Sequence, residues 1–198
     1  MTEEGWQIFS RFEDLKNPNR SNATRAHIID DWLRQRLAAD PRQRIILLGA
    51  GFDSRAFRLS GGRWLELDNP AVIAIKEKVL PQKEAPNPLQ RTSIDFATEK
   101  LAHKLSPLAG EAGAIVVMEG VSMYLTQEEL AATLATLRAA LPGHQLVCDL
   151  MSARFGRSGV EIRRRLAELG ASFAPLVDDP ARAVKNAGYR ELLRQSVV

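Results

Sequence analysis

Residues 45–55 read Ile-Ile-Leu-Leu-Gly-Ala-Gly-Phe-Asp-Ser-Arg, and this stretch constrains the fold more than any other. An unbroken apolar run suits a strand buried on both faces, as the strands of parallel sheets are. The run breaks at Gly49, and Gly51 follows, so the strand tip turns on residues that let backbone approach a ligand with no Cβ in the way. The next apolar run, Trp64-Leu65-Glu66-Leu67, ends at Asp68. A carboxylate at the tip of a neighbouring strand can accept hydrogen bonds from ribose hydroxyls. Together these features predict a nucleoside-containing cofactor at the carboxyl edge of an α/β sheet.

The rest of the chain supports that sheet by alternating apolar runs with helical periods. Ala26, Ile29, Leu33 and Leu37 recur at steps of three and four, so residues 22–39 are predicted helical, with Asp40-Pro41 as the stop. Strands are predicted at 44–48 and 63–67. Asn69-Pro70 then reads as an N-cap with proline at the first helical position, opening a helix that Pro81 closes. A weaker strand over Leu89–Ile94 precedes a helix over 97–105. Ala114–Met118 is a clear buried strand. Thr126 and Glu129 form a capping-box pattern ahead of the stripe Leu130, Leu134, Leu137 and Leu141. Strand five is read over Gln145–Leu150, a further helix over 157–170, and a last strand over Tyr189–Val197. This pattern predicts an α/β fold with a mostly parallel sheet and helices on both faces. At 198 residues the chain is expected to form one domain, with 1–40 as an N-terminal helical part and 44–198 as the sheet core.

Composition excludes several alternatives. With 27 basic and 24 acidic side chains, the excess charge of +3 is too small to argue for nucleic acid. The densest basic run, Arg163-Arg164-Arg165, lies beside Glu161 and Glu168 and reads as a solvated helix face. One cysteine, Cys148, in an apolar run, rules out an intrachain disulfide and reads as a buried small side chain. No apolar run approaches membrane-spanning length and the start is acidic, so a cytoplasmic protein with no membrane partner is expected. His27, His103 and His144 are scattered, and no metal site is predicted.

The chemistry of the glycine loop narrows the cofactor. Ser54 stands where a dinucleotide fingerprint needs a third small residue, and Asp53 would repel a pyrophosphate at close range. S-adenosylmethionine carries no phosphate. Its sulfonium and ammonium are cationic, its carboxylate suits an arginine, and its ribose can meet Asp68.

Three blocks in order, Gly-Ala-Gly-Phe-Asp-Ser-Arg-Ala-Phe-Arg-Leu (49–59), Glu-Leu-Asp-Asn-Pro (66–70) with Lys76, and Met-Glu-Gly-Val-Ser-Met-Tyr-Leu-Thr (118–126), carry a family resemblance. With Thr24-Arg25-Ala26 and Ile29-Asp30-Asp31-Trp32 ahead of them, the chain resembles the leucine carboxyl methyltransferase family and its bacterial S-adenosylmethionine-dependent O-methyltransferase relatives over residues 20–150. The resemblance implies a Rossmann-like class I methyltransferase fold, here without the usual last strand. It implies that Arg25 holds the cofactor carboxylate, that Gly49 and Gly51 form the floor, and that Asp68 binds the ribose. It also implies that Asp95 and Phe96 flank the adenine, and that Glu119 lies near the methionine part. Tyr124 lies where an acceptor approaches and is the one catalytic candidate.

Each residue also has a structural reading. Asp95 could cap a helix, Tyr124 could be a core aromatic, Arg25 could decorate a helix face, and Asp53 could pair with Arg55 to stiffen the loop. Glu119, directly after a buried strand, needs a partner, either the cofactor ammonium or an arginine. The expected function is methyl transfer to an oxygen, a carboxylate or hydroxyl, of a small molecule or peptide. A nicotinamide-dependent reductase and a catalytically reduced binding scaffold are the alternatives. An exposed sheet edge makes a homodimer a further expectation.

Overall fold

The structure, a computed structural model, describes residues 3–96 and 98–197. Among these, five strands form one sheet: β1 (Arg44–Leu48), β2 (Arg63–Asp68), β3 (Leu89–Ser93), β4 (Ile115–Met118) and β5 (Gln145–Cys148). Their order is β3-β2-β1-β4-β5, and all four pairings are parallel. The chain winds outward from β1 in one direction through β2 and β3, then in the other through β4 and β5. The crevice where winding reverses, between the carboxyl ends of β1 and β4, is where ligands bind in such sheets.

Alternate residues of the central strands feed two cores. On one face Ile46, Leu48, Leu65, Leu67, Val116 and Met118 are buried with Leu130, Leu134 and Leu137 of helix α6 (Gln127–Ala140). On the other, Ile45, Leu47, Trp64, Ile115 and Val117 are buried against Ile29, Leu33 and Leu37 of helix α2 (Lys16–Ala39). The period of two in the strands and of three to four in the helices thus meet in a three-layer fold. Both predicted caps form. Asn69 Oδ1 accepts from the Ala71 amide (2.9 Å) at the start of helix α4 (Pro70–Val79). Thr126 and Glu129 complete the two halves of a capping box on α6.

The remaining helices are α1 (Glu3–Ser10), α3 (Arg55–Arg58), α5 (Leu101–Leu105), α7 (Ala153–Ser158), α8 (Val160–Glu168) and α9 (Ala181–Asn186). Several boundaries differ from those read in the sequence. Helix α2 begins at Lys16, six residues before the expected start at 22. The helix expected over 97–105 is reduced to Leu101–Leu105, and residue 97 itself lies outside the described residues. The helix expected over 157–170 is split at Gly159 into α7 and α8.

The strand expected over Tyr189–Val197 does not form. Tyr189 is held back against the end of α6: its hydroxyl lies 2.7 Å from His144 Nε2, and Arg138 donates to the Gly188 carbonyl (2.8 Å). The Arg138 guanidinium also covers the Tyr189 ring. Beyond it, Leu192 and Leu193 are exposed, so the segment has no apolar face to lay against β5.

One charged cluster is sealed beneath α4. Glu66 of β2 places Oε2 2.8 Å from both Lys76 Nζ and Arg91 Nε, and none of the three side chains is more than 2% exposed. Arg91, paired with Glu66 across the β2–β3 register, also reaches Glu77 and the Leu80 carbonyl.

Candidate functional site

The site assembles at the carboxyl edge of the sheet, where strand tips put unpaired backbone groups and side chains together. Gly49 turns the chain after β1 with φ +70°, and its amide and that of Ala50 both donate to the Leu67 carbonyl. A β-carbon on Gly49 would overlap Val121 Cγ2, so packing demands glycine there. Gly51 differs: its φ is +45°, yet a β-carbon would meet no atom within 4 Å. Its missing side chain therefore leaves open space in front of the loop, as a ligand cradle requires.

Asp68, at the tip of β2, closes that cradle. Its Oδ2 accepts from the Gly51 amide (2.5 Å) and its Oδ1 from the Asn69 amide (2.6 Å). Each carboxylate oxygen has two acceptor directions, so both retain one for a ligand hydroxyl. The backbone of Asp68 also accepts from the Ile94 amide (2.8 Å), which brings the end of β3 alongside.

A second cluster lies across β1, between α2 and the tips of β4 and β5. Arg25 donates from Nε to Glu119 Oε1 (2.8 Å) and from Nη1 to Asp149 Oδ2 (2.7 Å). Arg55, 3% exposed, donates to Asp30 (2.6 Å), Asp53 (2.5 Å) and Glu119 Oε2 (2.7 Å). Arg58 reaches Asp30 from outside (2.8 Å). Burial opposes the Arg55 charge, but Asp53, Glu119 and Asp30 outweigh it and hold the guanidinium more firmly protonated than usual. Asp30 behaves in the mirror sense: burial would lift its carboxyl, and Arg58 and Arg55 pull it below the ordinary range. Burial lifts the Asp149 carboxyl, with Arg25 and the Gly120 amide opposing.

The sequence-derived candidates thus divide. Arg25 and Glu119 meet each other directly, and both Glu119 oxygens are taken by arginines. Asp53 pairs with Arg55 through its side chain and through the Arg55 amide (2.7 Å), so the carboxylate that argued against a pyrophosphate is largely neutralised. Asp68 and Gly51 meet on the other side of the loop. Asp95 does not cap a helix from Phe96; its carboxylate accepts from the Thr98 hydroxyl (2.9 Å) and its carbonyl from the Thr98 and Glu99 amides in a short turn. Phe96 is half exposed. Tyr124, also half exposed, packs against Phe173 with ring centroids 5.5 Å apart. Burial raises its hydroxyl above the usual phenol range, Arg25 opposing and the Asp149 charge adding to the rise.

Three participants were not singled out as site residues from the sequence. Asp30 sits four residues after Ala26 and three before Leu33, squarely on the apolar stripe of α2, where a carboxylate must have a buried cation. Arg55 is that cation. Asp149 was absorbed into strand five, which ends one residue earlier, at Cys148. Read as a strand tip, it joins Asp68 and Glu119 as the third acid on the same edge. Burial, with the Asp149 charge, pushes the thiol of Cys148 behind it up to about 12. Among the described residues no group of three or more His, Cys, Asp and Glu could hold a metal ion, and no helix is long and apolar enough to cross a membrane.

A solved structure of magnesium protoporphyrin IX methyltransferase (ChlM) from Synechocystis PCC 6803 with bound SAH shares the fold with a TM-score of 0.58. It is 15% identical, with 94% of this chain and 84% of that one covered. OxaC, solved in complex with SAH and oxaline, gives a TM-score of 0.54 at 17% identity, covering 78% of this chain and 40% of that one.

In sequence the chain is 34% identical, over 78% of its length and 51% of the relative's, to a Parafrankia sp. (strain EAN1pec) protein provisionally named an S-adenosyl-L-methionine-dependent methyltransferase. It is 26% identical to the tetracenomycin polyketide synthesis O-methyltransferase TcmP of Streptomyces glaucescens, over 82% of this chain and 60% of that protein. The chain therefore spans little more than half the length of these two relatives. The sequence profile of leucine carboxyl methyltransferase matches residues 7–138, from α1 through the glycine loop and the tips of β2 and β4 to the last turn of α6, and so stops short of Asp149. With the glycine cradle, the β2 acid and the Arg25–Glu119 pair all inside that match, the chain belongs to the leucine carboxyl methyltransferase family.

Proposed function

We propose that this chain forms, as one domain, the cofactor-binding part of an S-adenosylmethionine-dependent O-methyltransferase that modifies a carboxylate on a small molecule or peptide. The observation that carries the reading is the pair of clusters flanking β1. One is a glycine cradle whose acid, Asp68, keeps acceptor directions for ribose hydroxyls. The other is an arginine, Arg25, held by carboxylates with its Nη2 over Gly120, where even a β-carbon would stand 3.6 Å away. The first suits the adenosine and the second the amino-acid carboxylate of the cofactor. Asp95 and Phe96, following β3, are assigned to the adenine.

When bound, S-adenosylmethionine supplies an already activated methyl group. The protein's part is to align the acceptor oxygen with it and to exclude water. A carboxylate acceptor is ionised at neutral pH and needs no general base. That agrees with the site, because both Glu119 oxygens are held by arginines and the Tyr124 hydroxyl is held protonated. In this reading Tyr124 donates a hydrogen bond to the acceptor rather than taking its proton. Among the described residues β5 pairs only with β4, so dimerisation through its free edge belongs to the proposal, and a monomeric mass in solution scattering would remove it.

Calorimetric titration tests the reading. S-adenosylmethionine should bind in the micromolar range, and Asp68→Ala should weaken it by about a hundredfold, the loss of charge-assisted hydrogen bonds to two hydroxyls. NAD and NADP should leave the melting temperature unchanged. Correctly folded protein that gives no heat with S-adenosylmethionine would overturn it.

A further inference from the structure

Asp149 enters the reading above only as one of the carboxylates that hold Arg25, yet more of the β4–α6 loop depends on it than on any other acid at this edge. Its Oδ1 accepts from the Gly120 amide (2.8 Å), its Oδ2 from Arg25 Nη1 (2.7 Å), and its main-chain carbonyl from the Ser122 hydroxyl (2.6 Å). Ser122 and Asp149 thereby fasten the loop that carries Glu119 and Tyr124 to the tip of β5. Gly120 holds a positive φ of +70°, a turn that one short hydrogen bond at its amide fixes in place.

Across the β4–β5 register Met118 faces Cys148, so Glu119 and Asp149 are the next residues on adjacent parallel strands. Two carboxylates so placed repel, and the Arg25 guanidinium, inserted between them, is what lets them coexist. The grip is geometrically specific. Glu119 takes Nε and Asp149 takes Nη1, which fixes both the position and the rotation of a planar fork. The nitrogen left over, Nη2, then lies beside Gly120, 3.6 Å from where a β-carbon there would stand. Without Asp149, Arg25 would keep one bond and rotate about it.

We propose that Asp149 is a positioning residue for the methionine end of the cofactor, setting the rotation of Arg25 and the Gly120 turn so that Nη2 can receive the cofactor carboxylate. This rests on the reading of the site as an S-adenosylmethionine pocket, and it separates the two ends of that pocket. The adenosine end, built on Asp68 and Gly51, makes no hydrogen bond to Asp149.

The test compares two ligands by calorimetry: S-adenosylmethionine and 5′-methylthioadenosine, which keeps the adenosine and lacks the amino-acid carboxylate. Asp149→Asn preserves size and the acceptor for the Gly120 amide while removing the charge that holds Arg25. It should raise the Kd for S-adenosylmethionine by about tenfold or more, as loss of a charge-assisted bond implies, and move that for 5′-methylthioadenosine by less than about twofold. A general structural defect would weaken both alike.

Equal losses for the two ligands, or no loss for either, overturn the proposal. If Asp149→Asn does not fold, Asp149→Glu, which keeps the charge and displaces it by one methylene, should shift the ratio of the two affinities in the same direction; an unchanged ratio overturns the proposal. Failure of the underlying reading looks different, because the unmutated protein would then bind neither ligand.

Discussion

Two ionic clusters occupy this sheet, each built from three oppositely charged side chains, and they serve opposite ends. Glu66, Lys76 and Arg91 are sealed beneath α4 with exposures of 0 to 2%, whereas Arg25, Glu119 and Asp149 stand at the strand tips with side chains 17 to 21% exposed. In the sealed cluster Glu66 Oε1, Lys76 Nζ and Arg91 Nη2 are buried without a hydrogen-bond partner. Its charges are matched by ion pairs and by the Arg91 hydrogen bonds to Glu66 and the Leu80 carbonyl, which hold α4 and β3 onto β2. In the open cluster every carboxylate oxygen of Glu119 and Asp149 has a donor, and Arg25 Nη2, beside Gly120, bonds to neither acid. Position along the strand decides the difference. A charge in mid-strand is enclosed by the layers above, and one just past the strand end meets solvent and ligand.

Breaking each cluster should therefore give different phenotypes. The largest effect is expected from Glu66→Gln, which leaves the buried Lys76 without a carboxylate and Arg91 with Glu77 alone. It should cost about 3–5 kcal/mol in urea unfolding while the folded fraction still binds S-adenosylmethionine near its original affinity. A loss under about 1 kcal/mol would mean the sealed cluster is not held by charge and would dissolve the contrast. Next is Arg55→Lys in the open cluster. One ammonium cannot span Asp30, Asp53 and Glu119, so cofactor affinity should fall about tenfold, with Glu119 released to pull on Arg25. Unchanged affinity would show that the arginines act independently.

The smallest effect concerns a neutral, half-buried pair at the end of α6. The Leu141 carbonyl can only accept, so His144 Nδ1 carries the proton and Nε2 accepts from the Tyr189 hydroxyl. Burial, more than the Leu141 carbonyl can offset, holds the His144 pKa below its ordinary 6.5. A histidine depressed in the folded state costs nothing above 6.5 and destabilises as pH falls through 6.5, because the unfolded chain takes up the proton first. The melting temperature should therefore drop between about pH 7 and pH 5, and His144→Gln should flatten that part of the profile.

The fold was legible where sequence pattern and burial agree. The runs at 44–48, 63–68 and 114–118 are central parallel strands covered on both faces, and the caps at Asn69 and Thr126 fix helix starts by chemistry local to four residues. It was illegible where tertiary contacts choose. Helix α2 extends to Lys16 through the polar stretch Asn17–Asn22, against propensity, and the turn before it is tied to α8 by the Arg165–Asp14 pair. Tyr189–Val197 had the length of a strand but no buried face.

Among site residues, those on the glycine loop and the β2 tip were readable because turn and carboxylate lie in one short motif. The local Asp53–Arg55 pair was readable and forms, but the Arg55 contacts to Asp30 and Glu119 and the Asp149 contact to Arg25 were not, since those partners stand 25 to 124 residues away in sequence and only the sheet brings them together. Asp30 left a readable trace, a carboxylate on an apolar stripe.

A crystal structure of the protein with S-adenosylhomocysteine tests the central claim most directly. The account predicts the two ribose hydroxyls within hydrogen-bond distance of Asp68 and the amino-acid carboxylate on Arg25. A sugar bound anywhere else on the sheet edge, or a carboxylate turned away from Arg25, would contradict it.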